Sequence, residues 1–369
     1  MAAKKTIAII GGGPAGSATA IALLNALKAQ RSTEDIELCL FNRPKAKGWN
    51  VGETIPPAAT GVLHELGVPH ILDKQIHSEC TGSLSVWGSD QPVANDFMLD
   101  LSGTGFHLNR TAFDASLLQT AQACGARLFD GYSLRSASDD YVLDFIVNGE
   151  TRSFHADFVI DASGPSAAFA RRLGIARNVI DEVISVYARI PCYSESFPSH
   201  TLIEATAHGW WYVSNIPGNQ CMVSFTTDKY QIAEHHLLHG NHWQHGYAQT
   251  RWIKQFLPVD DLRDAELHTA SACSAILSAC VGERWLAVGD AASSYDSISS
   301  AGITKALLQG KQAGEAIADF LLDNNSDSLA RYQDSVFEQF NQYLGLRHYL
   351  YQREQRFADD SFWQRRINL

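Results

Sequence analysis

The chain has 369 residues, of which 45% are hydrophobic and 19% are charged, and its formal net charge is −11. This is the composition of an ordinary globular protein, long enough for about two domains. An acidic chain without basic blocks repels phosphate backbones, so we expect no nucleic-acid partner.

Cysteine usage and the amino-terminal stretch bear on where the protein works. The seven cysteines are an odd number, form no C-x-x-C pair and lie partly in apolar runs such as IELCLF. Such buried thiols are typical of a reducing compartment rather than a disulfide framework. The stretch MAAKKTIAII lacks the long apolar region of a signal peptide, and no run reaches membrane-spanning length. We therefore expect a cytoplasmic protein without a membrane span.

The first elements in chain order predict a β-α-β unit. Residues 6–10 (TIAII) are an apolar, β-branched run that stops at GGGPAG, after which SATAIALLNALKAQ has helical spacing. Residues 35–41 (DIELCLF) then predict a second buried strand. Two buried strands joined by a helix indicate a parallel sheet covered on both faces.

The later segments alternate between sheet and helix patterns. Turn residues at Asp139–Asp140 and Asn148–Gly149 indicate hairpins. We predict, in order, a helix over 109–126 ended by Gly125, a β-meander over 135–164, strands over 183–226, helices over 230–257, a strand, turn and helix near 290, and a mostly helical tail from Leu329.

A glycine motif opens the first helix. Gly11, Gly13 and Gly16 form G-x-G-x-x-G directly after a strand. The first glycine permits the turn, the second lets the backbone approach a pyrophosphate, and the third lets helix and strand pack closely. The pyrophosphate then lies against the N–H groups of the helix N-terminus. The pattern predicts a dinucleotide site that includes Pro14 and Ala15.

The second strand ends at Asn42, which is followed by Arg43. A dinucleotide fold usually has an acidic residue here that binds a ribose diol. Asparagine can hydrogen-bond hydroxyl groups but supplies no charge. We predict that both residues contact the cofactor, with a strand-end turn as the alternative interpretation of Asn42.

A second signature lies in WLAVGDAASSYDSISSAGITKAL, where a buried strand ends in Gly289–Asp290 before a small-residue loop and a helix. It resembles the G-D motif of FAD-dependent aromatic hydroxylases and their relatives, the flavin-dependent halogenases. In that family the Asp contacts the ribityl chain, and the helix N-terminus lies against the pyrimidine end of the flavin, where it favours the anionic reduced ring. The resemblance implies close approach of three small residues: Ser300, Ala301 and Gly302.

Three further pieces fit the same family. HLNRTAFDASLL resembles its arginine-started helix, ADFVIDASG its later strand and turn, and GETIPP the segment after the second strand in the halogenase-like branch. The chain departs from the family at Ser293 and Ser297, where the family often has His and Pro. The resemblance implies that these residues lie near the cofactor: Arg110, Asp161, Ala162, Gly164, Glu53 and Thr54.

The resemblance implies an α/β protein with a Rossmann-like FAD-binding domain built from separated segments, an inserted β-rich substrate domain and a helical C-terminal tail. The predicted division assigns 1–74, 106–180 and 268–325 to the FAD-binding domain, 75–105 and 181–267 to the substrate domain, and 326–369 to the C-terminal helical segment. Because there is one G-x-G-x-x-G, either NAD(P)H binds transiently on the FAD domain or another protein delivers reduced flavin. The expected co-substrate is O2.

Site residues separate hydroxylases from halogenases in this family. A halogenase needs a lysine near the flavin, but HSECTGSLSVWGSD has none, Lys74 lies upstream, and GWWYVSNIPGN does not match the W-x-W-x-I-P signature. The sequence therefore favours hydroxylation of an electron-rich ring. Four aromatic residues are candidates to line its pocket, or equally to pack a sheet: Trp87, Trp210, Trp211 and Tyr212.

The stretch EHHLLHGNHWQHGYAQTRW contains five histidines, and a spacing of three along a helix suits metal ligands. Gly240–Asn241 interrupts that helix, and no cysteine or acidic ligand set joins it. We therefore predict a solvated or packed face and no metal site.

RPKAKGWNVGETIPPAATGVLHELGV, CTGSLSVWGS and FWQRR (362–366) together are most similar to flavoproteins required to make cysteine tryptophylquinone in lysine ε-oxidase-like and glycine oxidase-like enzymes. That resemblance implies a tryptophan side chain of a partner oxidase precursor as the substrate. Open alternatives are a hydroxylase or halogenase of a free small aromatic such as an indole, a flavin-binding assembly factor, and an alkene reductase of the geranylgeranyl-reductase type. No catalytic base is evident, and Glu53 and Asp296 are candidates by position.

Overall fold

The computed structural model describes residues 4–30, 35–44, 51–97, 103–138, 140–192, 197–323 and 325–368. None of the helices in these ranges combines the length and the apolar run that crossing a bilayer requires. The α-helices are α1 (Pro14–Ala29), α2 (Pro57–Glu65), α3 (Arg110–Cys124), α4 (Lys229–Glu234), α5 (Gly240–Ala248), α6 (Gly302–Asp323), α7 (Ser326–Gln352) and α8 (Ser361–Ile367).

The strands form several sheets. In chain order they are β1 (Lys5–Ile10), β2 (Ile36–Asn42), β3 (Thr54–Ile55), β4 (Ser78–Cys80), β5 (Gly82–Val86), β6 (Val93–Asp96), β7 (Gly105–His107), β8 (Arg127–Asp130), β9 (Ser133–Ala137), β10 (Val142–Val147), β11 (Glu150–His155), β12 (Phe158–Asp161), β13 (Arg177–Asp181), β14 (Val183–Pro191), β15 (His200–Thr206), β16 (Gly209–Ile216), β17 (Gln220–Asp228), β18 (His268–Ser271), β19 (Ser274–Leu277), β20 (Val281–Gly282), β21 (Trp285–Ala287) and β22 (Ser293–Ser294).

A six-stranded sheet carries the predicted β-α-β unit. Its strand order is β20-β21-β12-β1-β2-β8, and all pairs are parallel except β20 with β21. The central strand β1 pairs with β2 on one side and with β12 on the other, so Ile9 lies opposite both Leu40 and Ile160. All three side chains are buried, as expected of a parallel sheet covered on both faces.

Helices α1 and α6 pack on this sheet through small residues. A methyl carbon at Gly310 would lie 2.7 Å from the carbonyl oxygen of Ala15, and one at Gly314 would lie 2.7 Å from Cβ of Ala22. The two backbones therefore approach as closely as their atoms allow. This contact places Gly310, the ninth residue of α6, beside Ala15, the second residue of α1, so the first two turns of α6 extend past the start of α1.

Local signals explain the next elements. Helix α3 begins at the predicted place because the Asn109 side chain accepts a hydrogen bond from Ala112 N, and it ends at Gly125 with φ +115°. Strands β10 and β11 form a hairpin whose turn residues, Asn148 and Gly149, both have positive φ. Of the other predicted turn, Asp139 lies outside the described residues.

A seven-stranded sheet forms the inserted region, in the order β18-β14-β17-β16-β15-β5-β6. Its pairs are antiparallel except β15 with β5. Residues from both predicted substrate segments contribute, since β5 and β6 lie in 75–105. Residues 268–271, which the predicted division places in the FAD-binding segments, form β18 and pair with β14 of this sheet.

The C-terminal helices tie the two regions together. Arg366 of α8 donates hydrogen bonds to both carboxylate oxygens of Asp181, at 2.8 and 2.9 Å, and to Asp228 Oδ1 at 2.6 Å. Arg347 of α7 binds Asp181 as well and lies 3.5 Å from Asp296 Oδ2. We call these five residues the charged clasp. It links α8, the seven-stranded sheet and the loop that precedes α6.

Candidate functional site

The glycine turn has no room for side chains at two of its three motif positions. Gly11 has φ +119°, and a methyl carbon there would lie 2.2 Å from the carbonyl oxygen of Ala162. At Gly16 it would lie 2.0 Å from the carbonyl oxygen of Gly11. At Gly13, by contrast, the described part of the chain places no neighbouring atom within 4 Å of such a methyl carbon. Gly11 and Gly16 thus serve close packing, whereas Gly13 keeps open the space in front of the helix.

That open space faces the start of α1. Gly13 is the residue that precedes the helix, no side chain caps it, and Pro14 takes the first helical position. Proline has no N–H, and the remaining first-turn N–H groups point towards the space at Gly13. Backbone donors and the positive end of the helix dipole favour an anion there. The turn fits the pyrophosphate of a dinucleotide.

Asn42 lies against this turn at the end of β2. A methyl carbon at Gly12 would lie 3.0 Å from Asn42 Oδ1, and Asn42 Nδ2 donates to Asp130 Oδ1 at 2.9 Å. Asp130 ends β8, whose parallel register places it beside Asn42. An acidic side chain thus lies next to Asn42 on the neighbouring strand. Arg43 is exposed just beyond.

The Asp161 side chain organises the turn after β12. One carboxylate oxygen accepts from the backbone N–H and hydroxyl of Ser163, and the other accepts from the N–H groups of Phe169 and Ala170. The residue has no exposed surface. Its carboxylate thus fixes the backbone under Gly11, and Gly164, with φ +72°, continues the same turn.

The G-D turn sits directly against α1. Gly289 has φ +64°, and a methyl carbon there would lie 2.6 Å from Cβ of Ala15. The side chain of Asp290 keeps 41% of its surface exposed, and its Oδ1 lies 2.6 Å from the ammonium of Lys305. Arg177 donates to the carbonyl oxygens of this turn, including that of Asp290 at 3.3 Å. Two cations therefore support a turn that presents one carboxylate.

The loop before α6 is anchored by Asp296. Its Oδ1 caps the following turn by accepting from Ile298 N at 3.1 Å, and its Oδ2 accepts from the hydroxyl of Tyr351 at 2.7 Å. Burial raises the pKa of Asp296, while Arg347 acts in the opposite direction. Both carboxylate oxygens of Asp296 accept hydrogen bonds from the protein. The geometry therefore indicates that this candidate catalytic residue anchors the loop.

The residues beyond Asp296 open towards solvent. Ser300 is exposed in the left-handed conformation, with φ +48°, and Ala301 is half-buried. Gly302 starts α6, and within the described ranges no neighbouring atom lies within 4 Å of where its methyl carbon would be. A second helix N-terminus is therefore open, further along the same side of the molecule as the start of α1.

The segment from Val51 to Thr54 lies against the start of α6. Arg110 donates to the carbonyl oxygen of Gly52 at 2.8 Å and to that of Val51, and Asp114 holds the other side of its guanidinium at 3.1 Å. A methyl carbon at Gly52 would lie 3.9 Å from Ile303 in the first turn of α6. The structure thus brings together the predicted GETIPP segment, the α3 arginine and the α6 loop. Residues 45–50 of the adjoining stretch lie outside the described residues.

The Glu53 carboxylate points from this segment towards the seven-stranded sheet. It is 3% exposed, and its Oε1 lies 3.6 Å from a guanidinium nitrogen of Arg189 on β14. Burial raises the pKa of Glu53, while the charges of Arg110 and Arg189 act in the opposite direction. Oε1 is buried without a hydrogen-bond donor among the described residues. Such a group is placed to accept a proton or a hydrogen bond from a bound molecule.

A hydrogen-bonded chain runs beside Glu53. The Thr54 hydroxyl lies 2.8 Å from the Tyr212 hydroxyl and 2.9 Å from His107 Nδ1, while His107 Nε2 lies 3.3 Å from the carbonyl oxygen of Ser199. Burial lowers the pKa of His107 to about 4, so its ring is neutral near pH 7. A carbonyl can only accept, so Nε2 carries the proton and Thr54 donates to Nδ1. We call Glu53, Thr54, His107, Arg189 and Tyr212 the polar junction.

The predicted aromatic residues do not form one pocket. Trp211 faces α5 and stacks on Phe225 with ring centroids 4.7 Å apart. Trp210 lies on the opposite face of β16, in a cluster with Trp87 and the α8 residue Trp363. Tyr212 alone among the four contacts the segment at Thr54.

Two surface features fall outside the site. Lys74 is 70% exposed and forms an ion pair with Glu79. Among the described residues no group of three or more His, Cys, Asp or Glu side chains is arranged to hold a metal ion. Four of the five clustered histidines are exposed: His236, His239, His242 and His245.

Sequence reasoning missed four charged residues of the site, Asp130, Arg177, Arg189 and Lys305. Asp130 and Arg189 follow ordinary strand patterns, and their relevance depends on which strands become neighbours. The sequence did mark Lys305, because it is a charged residue at the start of a helix whose other residues are mostly small and apolar.

Comparisons with known proteins agree with this geometry. Residues 4–332 match the protein family described as FAD binding domain. The chain is 27% identical over 364 residues to the FAD-dependent oxidoreductase LodB of Marinomonas mediterranea. The aligned region covers 97% of this chain and 95% of LodB.

Two solved structures share the fold at 23% identity. The flavin-dependent halogenase CmlS has a TM-score of 0.84, covering 99% of this chain and 68% of its own. QhpG, described as a peptidyl tryptophan dihydroxylase essential for tryptophylquinone cofactor biogenesis, has a TM-score of 0.79, covering 99% and 79%. The glycine turn, the open helix starts and the family match together show that this chain belongs to the FAD binding domain family and is an FAD-dependent oxidoreductase.

Proposed function

We propose that the protein is a monooxygenase that hydroxylates an electron-rich aromatic ring: a tryptophan side chain of a partner oxidase precursor, during biosynthesis of cysteine tryptophylquinone. The likeness to LodB over nearly the whole chain and the fold likeness to QhpG support this choice. The cytoplasmic location expected from the sequence belongs to the same proposal.

The observation that carries the proposal is the position of Glu53. Its carboxylate lies on the segment that reaches the start of α6, yet it faces Arg189 and Tyr212 of the inserted sheet. A ring bound between the two regions would therefore meet a buried proton acceptor. Because burial raises the Glu53 pKa, the group is suited to take and return protons.

The reaction can be written in balance. One atom of O2 enters a ring C–H bond as a hydroxyl group, the other leaves as water, and two electrons and two protons are consumed. FAD supplies the oxygen chemistry when bound, with NAD(P)H or separately reduced flavin as the electron source. The chain's residues orient the ring and exclude water, and Glu53 Oε1 accepts the proton that the hydroxylated ring carbon releases.

Mass spectrometry of the partner tests the proposal. The holoenzyme is reduced without oxygen, and O2 is then admitted with the precursor of an oxidase encoded beside this protein's gene. We expect one or two oxygen atoms to be added to one tryptophan. Glu53→Gln should lower the rate at least tenfold, whereas the exposed Glu79→Gln should leave it unchanged. An unmodified precursor would overturn the tryptophan assignment.

The alternatives give different outcomes. A hydroxylase or halogenase of a free small aromatic would modify indole without the precursor. An assembly factor would still mature the partner after loss of FAD binding. An alkene reductase would saturate an isoprenoid double bond without consuming O2.

A further inference from the structure

Lys305 is a buried cation that the proposed chemistry does not use. It is the fourth residue of α6, and its side chain is 3% exposed. The ammonium lies 2.6 Å from Asp290 Oδ1, donates to the carbonyl oxygen of Ser293 and sits 4.4 Å from the ring centre of Tyr295. All its partners therefore belong to the G-D turn and the residues that follow it.

This position is unfavourable for a lysine in two ways. Removing an ammonium from water carries a desolvation penalty, which the pairing with Asp290 offsets only in part. In addition, the first turn of a helix is the positive end of its dipole, which disfavours a cation. A leucine or methionine would fill the space without either penalty, so packing alone does not explain the residue.

The pairing is asymmetric about Asp290. Lys305 holds one side of the carboxylate, while 41% of the Asp290 side chain stays exposed. The turn itself lies against Ala15 of α1 and Ala306 of α6. Arg177 binds the same turn through the carbonyl oxygens of Asp290 and Ala291 and through the hydroxyl of Ser294 at 2.8 Å. Without Lys305, the carboxylate would stand close to the site of an anionic cofactor with Arg177 as its remaining support.

We propose that Lys305 is a positioning residue for FAD: it fixes the Asp290 carboxylate as a hydrogen-bond acceptor for the cofactor and offsets its charge, so that the anionic reduced flavin is not repelled. The role depends on FAD binding and not on the identity of the substrate. The proposed role of Lys305 and the assignment of tryptophan as the substrate can therefore be confirmed or overturned independently of each other.

The charge change predicts the direction of the flavin potential. Lys305→Met removes one positive charge and should weaken FAD binding about tenfold. The affinity for reduced flavin should fall by a further factor of ten. This corresponds to a shift of the two-electron reduction potential by about 30 mV towards more negative values. Lys311→Met is the matched control, because Lys311 lies on the same helix, keeps 22% of its side chain exposed and pairs with Glu65 and Glu315. It should change neither quantity.

A second pair of variants separates positioning from structure. Asp290→Asn removes the negative partner and should raise the potential, and the double variant should return it to near the wild-type value because the net charge is restored. If Lys305→Met does not fold, the comparison of Asp290→Asn with the double variant still measures the lysine's effect. A loss of melting temperature with an unchanged potential in every variant would overturn the proposal, leaving Lys305 a structural residue.

Discussion

The glycine turn and the polar interior of this flavoprotein are built in opposite ways. At the turn, Gly11 and Gly16 bring backbone atoms so close that a single methyl group has no place. Around the inserted sheet, the polar junction and the charged clasp bury full charges and neutral polar rings instead. The first region should therefore fail when volume is added, and the second when charge or pH changes.

The sharpest contrast lies within the turn itself. Gly16→Ala forces a methyl carbon to within 2.0 Å of a backbone oxygen, so we expect a stability loss of about 3 kcal/mol or more without cofactor and no FAD binding. The new methyl group in Gly13→Ala has no neighbour within 4 Å among the described residues, so the cofactor-free protein should keep its melting temperature while FAD affinity falls at least tenfold. Calorimetry and flavin titration of both variants measure this. Equal stability losses would contradict the assignment of packing to one glycine and ligand approach to the other.

The clasp should be sensitive to the loss of one charge. Arg366→Met removes the main partner of the buried Asp228 and of the half-buried Asp181, which we expect to destabilise the protein by about 3–5 kcal/mol in denaturant unfolding. The neighbouring Arg365 is 51% exposed and also pairs with Asp228. Its replacement by Met should cost less than about 1 kcal/mol. Similar losses for the two arginines would mean that burial does not set the strength of the clasp.

The polar junction predicts an acid sensitivity. Folded His107 has a pKa of about 4 against an ordinary value of 6.5, so between these values the unfolded chain binds a proton that the folded chain does not. Stability should therefore fall as the pH drops from 6.5 to 4, by about 3 kcal/mol from this residue. His107→Gln should flatten that part of the stability profile, and the exposed His70→Gln should leave it as it is. An unchanged slope in His107→Gln would exclude the buried neutral ring as its source.

The pH dependence of stability that comes from Glu53 should have the opposite sign to that from His107 and a smaller magnitude. The pKa of Glu53 is raised in the folded state, so the stabilising contribution is present below the ordinary value of 4.5 and is lost as the pH rises through the folded pKa. Glu53→Gln should thus be more stable than the wild type at pH 7, by about 1 kcal/mol, and the difference should disappear in acid. A less stable variant at pH 7 would show that the attraction of Arg189 outweighs the burial.

The same contrast explains what the sequence could predict. The glycine turn, the G-D turn and the cap of α3 are signals carried by a few consecutive residues, and each is found where it was predicted. Asp130 and Arg189 carry no local signal, because they reach the site only through the order of strands in two sheets. Trp210, Trp211 and Tyr212 were all candidates for one pocket, because the sequence does not show which face of β16 meets the FAD-binding part. That choice depends on what packs against each face.

The strand order of the six-stranded sheet has a consequence for how the chain folds. The central strand β1 is flanked by β2 and by β12, which lies about 150 positions later, and β21 then pairs with β12 across the whole inserted region. Closing such long loops is entropically costly, and proteins rich in distant pairings fold slowly. Until β21 arrives, β12 presents an apolar open edge, which is the kind of surface that aggregates. Production of the protein should therefore respond to chaperones and temperature more than its native stability alone suggests.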